Sequence, residues 1–167
     1  MAEKTLEDLF YETLKDIYYA ERKILKALPK MARGAQDQKL KQAFEQHRDE
    51  TEGQVERLQQ VFELIGKRPR AKTCPAIDGI LEEGEEILEE FKGAPALDAG
   101  LLAAAQAVEH YEISRYGTLR TWASQLGLKE AVTLLDQTLA EESKTDESLT
   151  KLAETAVNTA AQKKKAA

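Results

Sequence analysis

Apolar residues recur every three or four positions along four long stretches of the chain. This spacing is typical of amphipathic helices that bury one face. The predicted helices cover residues 6–34, 37–65 and 95–126, and a fourth begins near residue 129. Glycines mark three of the helix ends, which favours termination there: Gly34, Gly66 and Gly127. The pattern therefore predicts two helical hairpins.

A basic segment with two prolines, residues 67–75, separates the two hairpins and predicts a connection between them. Residues 76–92 then predict a short helix whose glutamates form a solvated face. Pro29, near the end of the first helix, predicts a kink or an early stop. Together these elements predict an all-α, antiparallel four-helix bundle of two hairpins joined by a short fifth helix.

Each of the four apolar stripes is interrupted near its middle by acids or by an imidazole. Unpaired charges on a buried face are costly, so these side chains need cations, protons or strong hydrogen bonds. On the second helix the spacing leaves open whether Glu50 or Thr51 faces inward. The candidate residues are Asp16 and Glu21 in the first stripe, His47 and Glu50 in the second, Glu109 and Glu112 in the third, and Glu142 and Asp146 in the fourth.

The turns place these polar positions at similar heights in the bundle. The numbers of Glu21 and Glu50 average to the first turn, and those of Glu112 and Glu142 average to the second turn. The hairpins also repeat at an offset near 93 residues. That offset relates Asp16 to Glu109 (93), Glu50 to Glu142 (92) and, most loosely, Glu21 to Glu112 (91). We therefore expect one polar cluster in the centre of the bundle.

Carboxylates with a single imidazole are ligands that suit iron or manganese, and paired helical hairpins can enclose a dinuclear site. The prediction is a di-metal centre of iron or manganese held by the eight candidate residues. The structural alternative is a bundle whose inward acids are satisfied by water and by five other side chains: Arg22, Arg57, Arg115, Tyr18 and Tyr111.

Three segments, residues 16–21, 43–54 and 104–113, resemble the YciF-like bacterial stress-response family. The run Val-Glu-His-Tyr-Glu-Ile within the third is the most specific part of this resemblance. The resemblance implies a ferritin-like fold, related to rubrerythrin and bacterioferritin, and a dimer of five-helix protomers in the cytoplasm. The common di-iron motif Glu-x-x-His is absent, because Gly53 follows Glu50 and Thr145 follows Glu142 at that spacing. This departure favours metal binding over oxidase activity.

Composition narrows the class of protein further. Acidic residues outnumber basic ones, 30 to 24, and the net charge of −6 argues against nucleic acid as a partner. The single Cys74 cannot form an internal disulfide, which favours a reducing cytoplasm. No apolar run approaches the roughly 18 residues that a membrane span needs. We expect one ferritin-like domain over residues 1–160 and a frayed, Lys- and Ala-rich tail over residues 161–167.

The leading hypothesis is a ferritin-like stress-response protein that binds a dinuclear iron or manganese site and reacts with oxygen or peroxide. Whether it turns over a substrate is left open. The alternative is a non-enzymatic helical bundle that acts through dimerisation and partner binding, with its inward acids protonated or hydrated. Both hypotheses include a homodimer.

Overall fold

The computed structural model describes residues 3–163, and all regular structure in this range is helical. The helices pack as two antiparallel hairpins with a shorter helix between them, so the predicted all-α bundle is confirmed. The elements are α1 (Leu6–Gly34), α2 (Gln38–Leu64), α3 (Pro75–Glu90), α4 (Leu97–Gln125), α5 (Lys129–Leu152), a π-helical turn (Ala153–Val157) and α6 (Asn158–Ala161).

Local signals account for the helix ends. Thr5 and Asp8 form a reciprocal capping box at the start of α1, and Asp37 accepts backbone hydrogen bonds at the start of α2. Gly127 has φ +74° between α4 and α5, a conformation that favours glycine after a helix end. The helix α1 continues through Pro29 to Gly34, so the early stop does not occur.

The four long helices close into a bundle in which α1 and α2 form one hairpin, and α4 and α5 form the other. The helix α2 also packs against α5, and α1 packs against α4. The short α3 covers α4 and α1 on one side of this bundle, and its six glutamates are all exposed, as predicted. Buried Asp98 accepts hydrogen bonds from the backbone N–H groups of Gln36 (2.8 Å) and Asp37 (2.6 Å), which ties α4 to the first turn.

The remaining differences are at the ends of elements. The helix α4 begins at Leu97 rather than at residue 95, and the last helical segment ends at Ala161, the first residue of the predicted tail. Most of the predicted tail, residues 164–167, lies outside the described residues. Within residues 3–163 no helix is both long and apolar enough to cross a membrane. The proposed division into one domain and a tail stays a prediction.

Candidate metal centre

Four carboxylates and one imidazole lie together in the middle of the bundle, and we call them the central cluster: Glu21, His47, Glu109, Glu112 and Glu142. The carboxylates are fully buried, and His47 is 4% exposed. One ligand atom from each of His47, Glu109, Glu112 and Glu142 lies within 4.8 Å of the others. Each long helix contributes at least one side chain because its polar interruption falls at the same height as its neighbours'.

The imidazole of His47 lies between two carboxylates. Its Nδ1 is 3.0 Å from Glu109 Oε1, and its Nε2 is 3.7 Å from Glu142 Oε2. Burial lowers the pKa of His47, and the charges of Glu142 and then Glu50 oppose that shift. His47 is therefore held close to carboxylate oxygens in a place that favours its neutral form, which is the form that ligates metals.

Two neutral side chains hold the ends of the cluster. The hydroxyl of fully buried Tyr116 donates a hydrogen bond to Glu21 Oε1. The amide of Gln54 donates to Glu142 Oε1. Each donor satisfies one oxygen of its carboxylate and leaves the other oxygen free. These contacts orient the two carboxylates without neutralising them.

Many polar atoms of this region have no hydrogen-bond partner. Such atoms are rare in protein interiors and call for an explanation, of which an ion is one. Hard carboxylate and amide oxygens with one imidazole nitrogen form a donor set that fits iron or manganese. Within the described residues, all buried side-chain atoms without a partner belong to this region: Glu21 Oε2, His47 Nε2, Gln54 Oε1, both oxygens of Glu109, both oxygens of Glu112, and Glu142 Oε2.

The arginines of the structural alternative do not reach the central cluster. Arg57 binds Glu141 instead, with 2.8 Å between Nη1 and Oε2. Arg22 and Arg115 lie over tyrosine rings on their own helices. In the described part of the chain, no lysine or arginine forms an ion pair with a carboxylate of the cluster. Among the described side chains, only the neutral donors Tyr116 and Gln54 and the nearby imidazole of His47 offset these acids.

Without a bound cation, the cluster favours protonated carboxyl groups. Burial raises the pKa of Glu21 to about 8, with a further rise from the charge of Glu142. Burial and, after it, the neighbouring carboxyl group of Glu142 raise the pKa of Glu109 to about 12. Burial and the same neighbouring charge raise the pKa of Glu112 well above its usual value. A metal ion would therefore replace protons when it binds.

Two of the predicted ligands, Asp16 and Asp146, lie outside the cluster. Both are half-buried. Asp16 accepts a hydrogen bond from the hydroxyl of Tyr111 at 2.8 Å. Asp146 Oδ1 lies 3.1 Å from Nε2 of His110, which is exposed. The structure therefore gives both aspartates other partners, and we leave them out of the ligand set that we propose below.

Glu50 also lies outside, and this changes the predicted pairing with Glu142. Neighbouring residues on a helix point about 100° apart, so only one of Glu50 and Thr51 can face the core. Thr51 is the buried one, and its hydroxyl donates to the carbonyl of His47 at 2.7 Å. Glu50 is half-buried at the side of α2, where it accepts hydrogen bonds from Gln46 and Thr145.

The sequence pattern did not assign Gln54 or Tyr116 to the site. Both lie on the inward stripes of their helices, and both contact a buried acid in the structure. Their polar side chains on buried helix faces could have indicated this role, because a buried polar side chain needs a partner. The register alone did not say that the partners were Glu142 and Glu21.

The fold and the central cluster define a class: an all-α bundle of two hairpins with inward carboxylates, as in ferritin-like proteins. A family model described as "Domain of unknown function (DUF892)" matches residues 5–162. The chain belongs to this family, and the resemblance to YciF-like proteins is confirmed. It is 47% identical to Protein YciF of Escherichia coli (strain K12) over 162 residues, 96% of this chain and 98% of the relative.

Solved structures agree with this assignment. The crystal structure of the E. coli stress protein YciF superposes with a TM-score of 0.89 at 47% identity, over 93% of this chain and 99% of that one. YcfI from Rhodopseudomonas palustris gives a TM-score of 0.86 at 48% identity, over 88% and 94%. A protein from Xanthomonas campestris pv. campestris shares the fold, with a TM-score of 0.71 at 22% identity over 93% and 95%.

Proposed function

We propose that this chain is a ferritin-like stress-response protein that holds two divalent iron or manganese ions in the central cluster. The observation that carries the proposal is the set of buried donor atoms without partners, all within one region where no described lysine or arginine pairs with an acid of the cluster. The description of the E. coli relative as a stress protein supports the cellular role. Bound iron would supply the redox chemistry for reaction with oxygen or peroxide.

Charge balance favours two ions over one. The cluster holds four carboxylates, and two divalent cations would neutralise them. The ligand atoms of His47, Glu109, Glu112 and Glu142 lie close enough together to hold one ion. Glu21, whose pKa responds to the neighbouring carboxyl groups of Glu142 and Glu112, brings a further free oxygen beside that group. A second ion would take its ligands from this side of the cluster.

Other residues of the chain prepare the cluster for a cation. Tyr116 and Gln54 each orient one carboxylate by a hydrogen bond. Thr51 binds the carbonyl of His47 on its own helix, at the height of the cluster. Burial lowers the local polarity, which strengthens the attraction between the carboxylates and a cation. The metal ligands are therefore already held together in the folded protein before a cation binds.

Metal analysis tests this proposal. Metal-free protein is loaded with Mn²⁺, or with Fe²⁺ without oxygen, and is then freed of excess metal and analysed. We expect about two ions per chain, as in other two-hairpin carboxylate bundles. A content below about 0.2 ions per chain would refute the metal centre, because a metal that binds the folded protein must occupy its site when it is supplied in excess.

A second candidate function is a metal-independent bundle that acts by binding partners. The raised pKa values of Glu21, Glu109 and Glu112 favour it, because protonated carboxyl groups allow the fold without a cation. Thermal melting separates the two functions. A metal that binds only the folded state adds about 2.7 kcal/mol of stability at 100 times its Kd. Unchanged melting on addition of Mn²⁺ supports the second candidate.

We also propose that the chain is a homodimer, as the YciF-like resemblance implies. Three large apolar side chains are exposed in the described residues and are available for such a contact: Leu9, Leu64 and Phe91. Light scattering during size-exclusion chromatography tests the dimer, and a mass of one chain would refute it. The cytoplasmic location stays a prediction.

A further inference from the structure

We propose that the pocket beside Glu50 is the entry route by which divalent cations reach the central cluster. The proposal rests on the metal function above. The pocket lies between α2 and α5, has a volume of about 70 Å³ and leads inward from exposed to buried side chains. Its polar lining consists of exposed Gln46, Lys144 and Ser148, half-buried Glu50 and Thr145, and buried His47.

Glu50 is placed to receive a cation partway along this route. Its Oε1 accepts a hydrogen bond from the amide of Gln46 at 2.9 Å, and its Oε2 accepts one from the hydroxyl of Thr145 at 3.2 Å. Both partners are neutral, and among the described residues no ion pair includes Glu50. No described basic side chain therefore competes with an incoming ion for this carboxylate.

His47 lies at the inner end of the pocket, where it can bind the ion after Glu50. His47 is 4% exposed, and its Nε2 has no hydrogen-bond partner. Glu142 Oε2 lies 3.7 Å beyond it and also has no partner. An unpartnered nitrogen at the end of a polar pocket, followed by an unpartnered carboxylate oxygen, forms a continuous path of donors. A cation can move along such a path without losing all its ligands at once.

A second pocket reaches the cluster from the opposite side of the bundle and has a different chemistry. It lies beneath α3, has a volume of about 30 Å³ and ends at His47 and Glu109. Apart from an ion pair between Lys30 and Glu85, its remaining lining is apolar. A divalent ion would lose its water there without replacement, which is costly. The pocket at Glu50 is therefore the favoured route for cations.

The rate of metal uptake tests this route. Metal-free protein and Mn²⁺ are mixed rapidly, and a metallochromic dye follows free Mn²⁺; final metal content is measured separately. We expect E50Q to slow uptake by about tenfold, a size typical of electrostatic guidance, while final content stays at the wild-type value. The matched control E52Q removes an exposed acid from the same helix and should leave the rate unchanged. K144Q removes the cation at the rim and should speed uptake.

The outcomes separate the route from the metal centre itself. No uptake by the wild-type protein refutes the metal centre, and the route with it. Normal final content with equal rates for wild type, E50Q and K144Q refutes the route alone. A fall in the final content of E50Q also overturns the proposal, because Glu50 would then be a ligand of the bound ion.

Discussion

The two helical hairpins of this bundle are alike in packing and unlike in chemistry. Buried positions of the first hairpin recur 91 residues later in the second. The apolar pairs at this offset include Phe10 and Leu101, Leu14 and Ala105, Ile17 and Val108, Leu28 and Leu119, Leu40 and Ala131, Phe44 and Leu135, and Leu58 and Leu149. The two hairpins therefore bury side chains at equivalent positions.

The buried polar residues do not follow this equivalence. Glu21 and Glu112 occupy equivalent positions and are the same residue type. At the other equivalent positions, Tyr18 corresponds to Glu109, His47 to Thr138, and Thr51 to Glu142. The first hairpin therefore supplies one acid and the imidazole, and the second supplies three acids. The shared register keeps equivalent positions buried, whereas the ligands are distributed unequally between the two hairpins.

The largest expected effect comes from the pair Thr51 and Glu142, which share a position but differ in chemistry. Glu142→Ala removes a proposed ligand and should weaken Mn²⁺ binding by at least about 100-fold, the upper range for residues that only support a ligand. Thr51→Ala should change it by less than about threefold, since its hydroxyl is occupied by a backbone carbonyl. Calorimetric titration measures both. Equal losses would show that the two hairpins contribute equally to binding.

The pair Glu21 and Glu112 should differ in metal-free stability although both are buried glutamates. Glu112→Leu removes two oxygens without hydrogen-bond partners and should raise the free energy of unfolding by about 1–4 kcal/mol. Glu21→Leu leaves the buried hydroxyl of Tyr116 without its acceptor, so its gain should be smaller by about 1–3 kcal/mol.

Chemical denaturation of metal-free protein checks this pair. Adding Tyr116→Phe to Glu21→Leu should remove the difference from Glu112→Leu, because the unpaired hydroxyl is gone. Equal stability of the two single variants would contradict the assigned role of Tyr116.

The acids also predict how metal-free stability depends on pH. Folding raises the pKa of Glu21 to about 8 and that of Glu109 to about 12, so the folded chain holds protons that the unfolded chain releases above its usual pKa near 4.5. Stability should therefore fall as pH rises from about 6.5 to 8, by up to about 1.4 kcal/mol per pH unit for each extra proton. Above 6.5 the neutral His47 adds little to this slope.

Melting temperatures across that interval measure the slope. Glu112→Gln should flatten it, while Glu130→Gln, a change at an exposed acid of α5, should not. A wild-type melting temperature that is constant or rises over this interval would argue against protonated acids in the cluster.

The smallest effect concerns α3, which has no counterpart in the repeat. A Cβ at Gly84 would lie 3.5 Å from the Ala104 Cβ and 3.7 Å from the Met31 Cε, which are ordinary contacts. Gly84→Ala should therefore stabilise the protein by about 0.5–1 kcal/mol. In Gly100→Ala the new Cβ would lie 2.6 Å from Ile87 Cγ2, so that variant should lose stability. Thermal unfolding compares the two.

The sequence by itself determined the helices and most of the polar layer. Periodicity and turn glycines predicted the two hairpins, and the polar interruptions included all five members of the central cluster. These features are local, because the face on which a side chain lies follows from the 3.6-residue period of its own helix. The proposed repeat was also correct in kind, although the pair at an offset of 92 residues joined half-buried Glu50 to buried Glu142.

Only the tertiary structure decided which residues at the edge of each stripe turn inward. Neighbouring residues of a helix point about 100° apart, so the rotation of α2 about its own axis decides whether Glu50 or Thr51 faces the core. That rotation depends on the packing of all four helices, as does the contact of Asp16 with Tyr111 in place of the cluster. The absence of arginines from the cluster and the two pockets at His47 are likewise relations between helices, and no single stretch of sequence contains them.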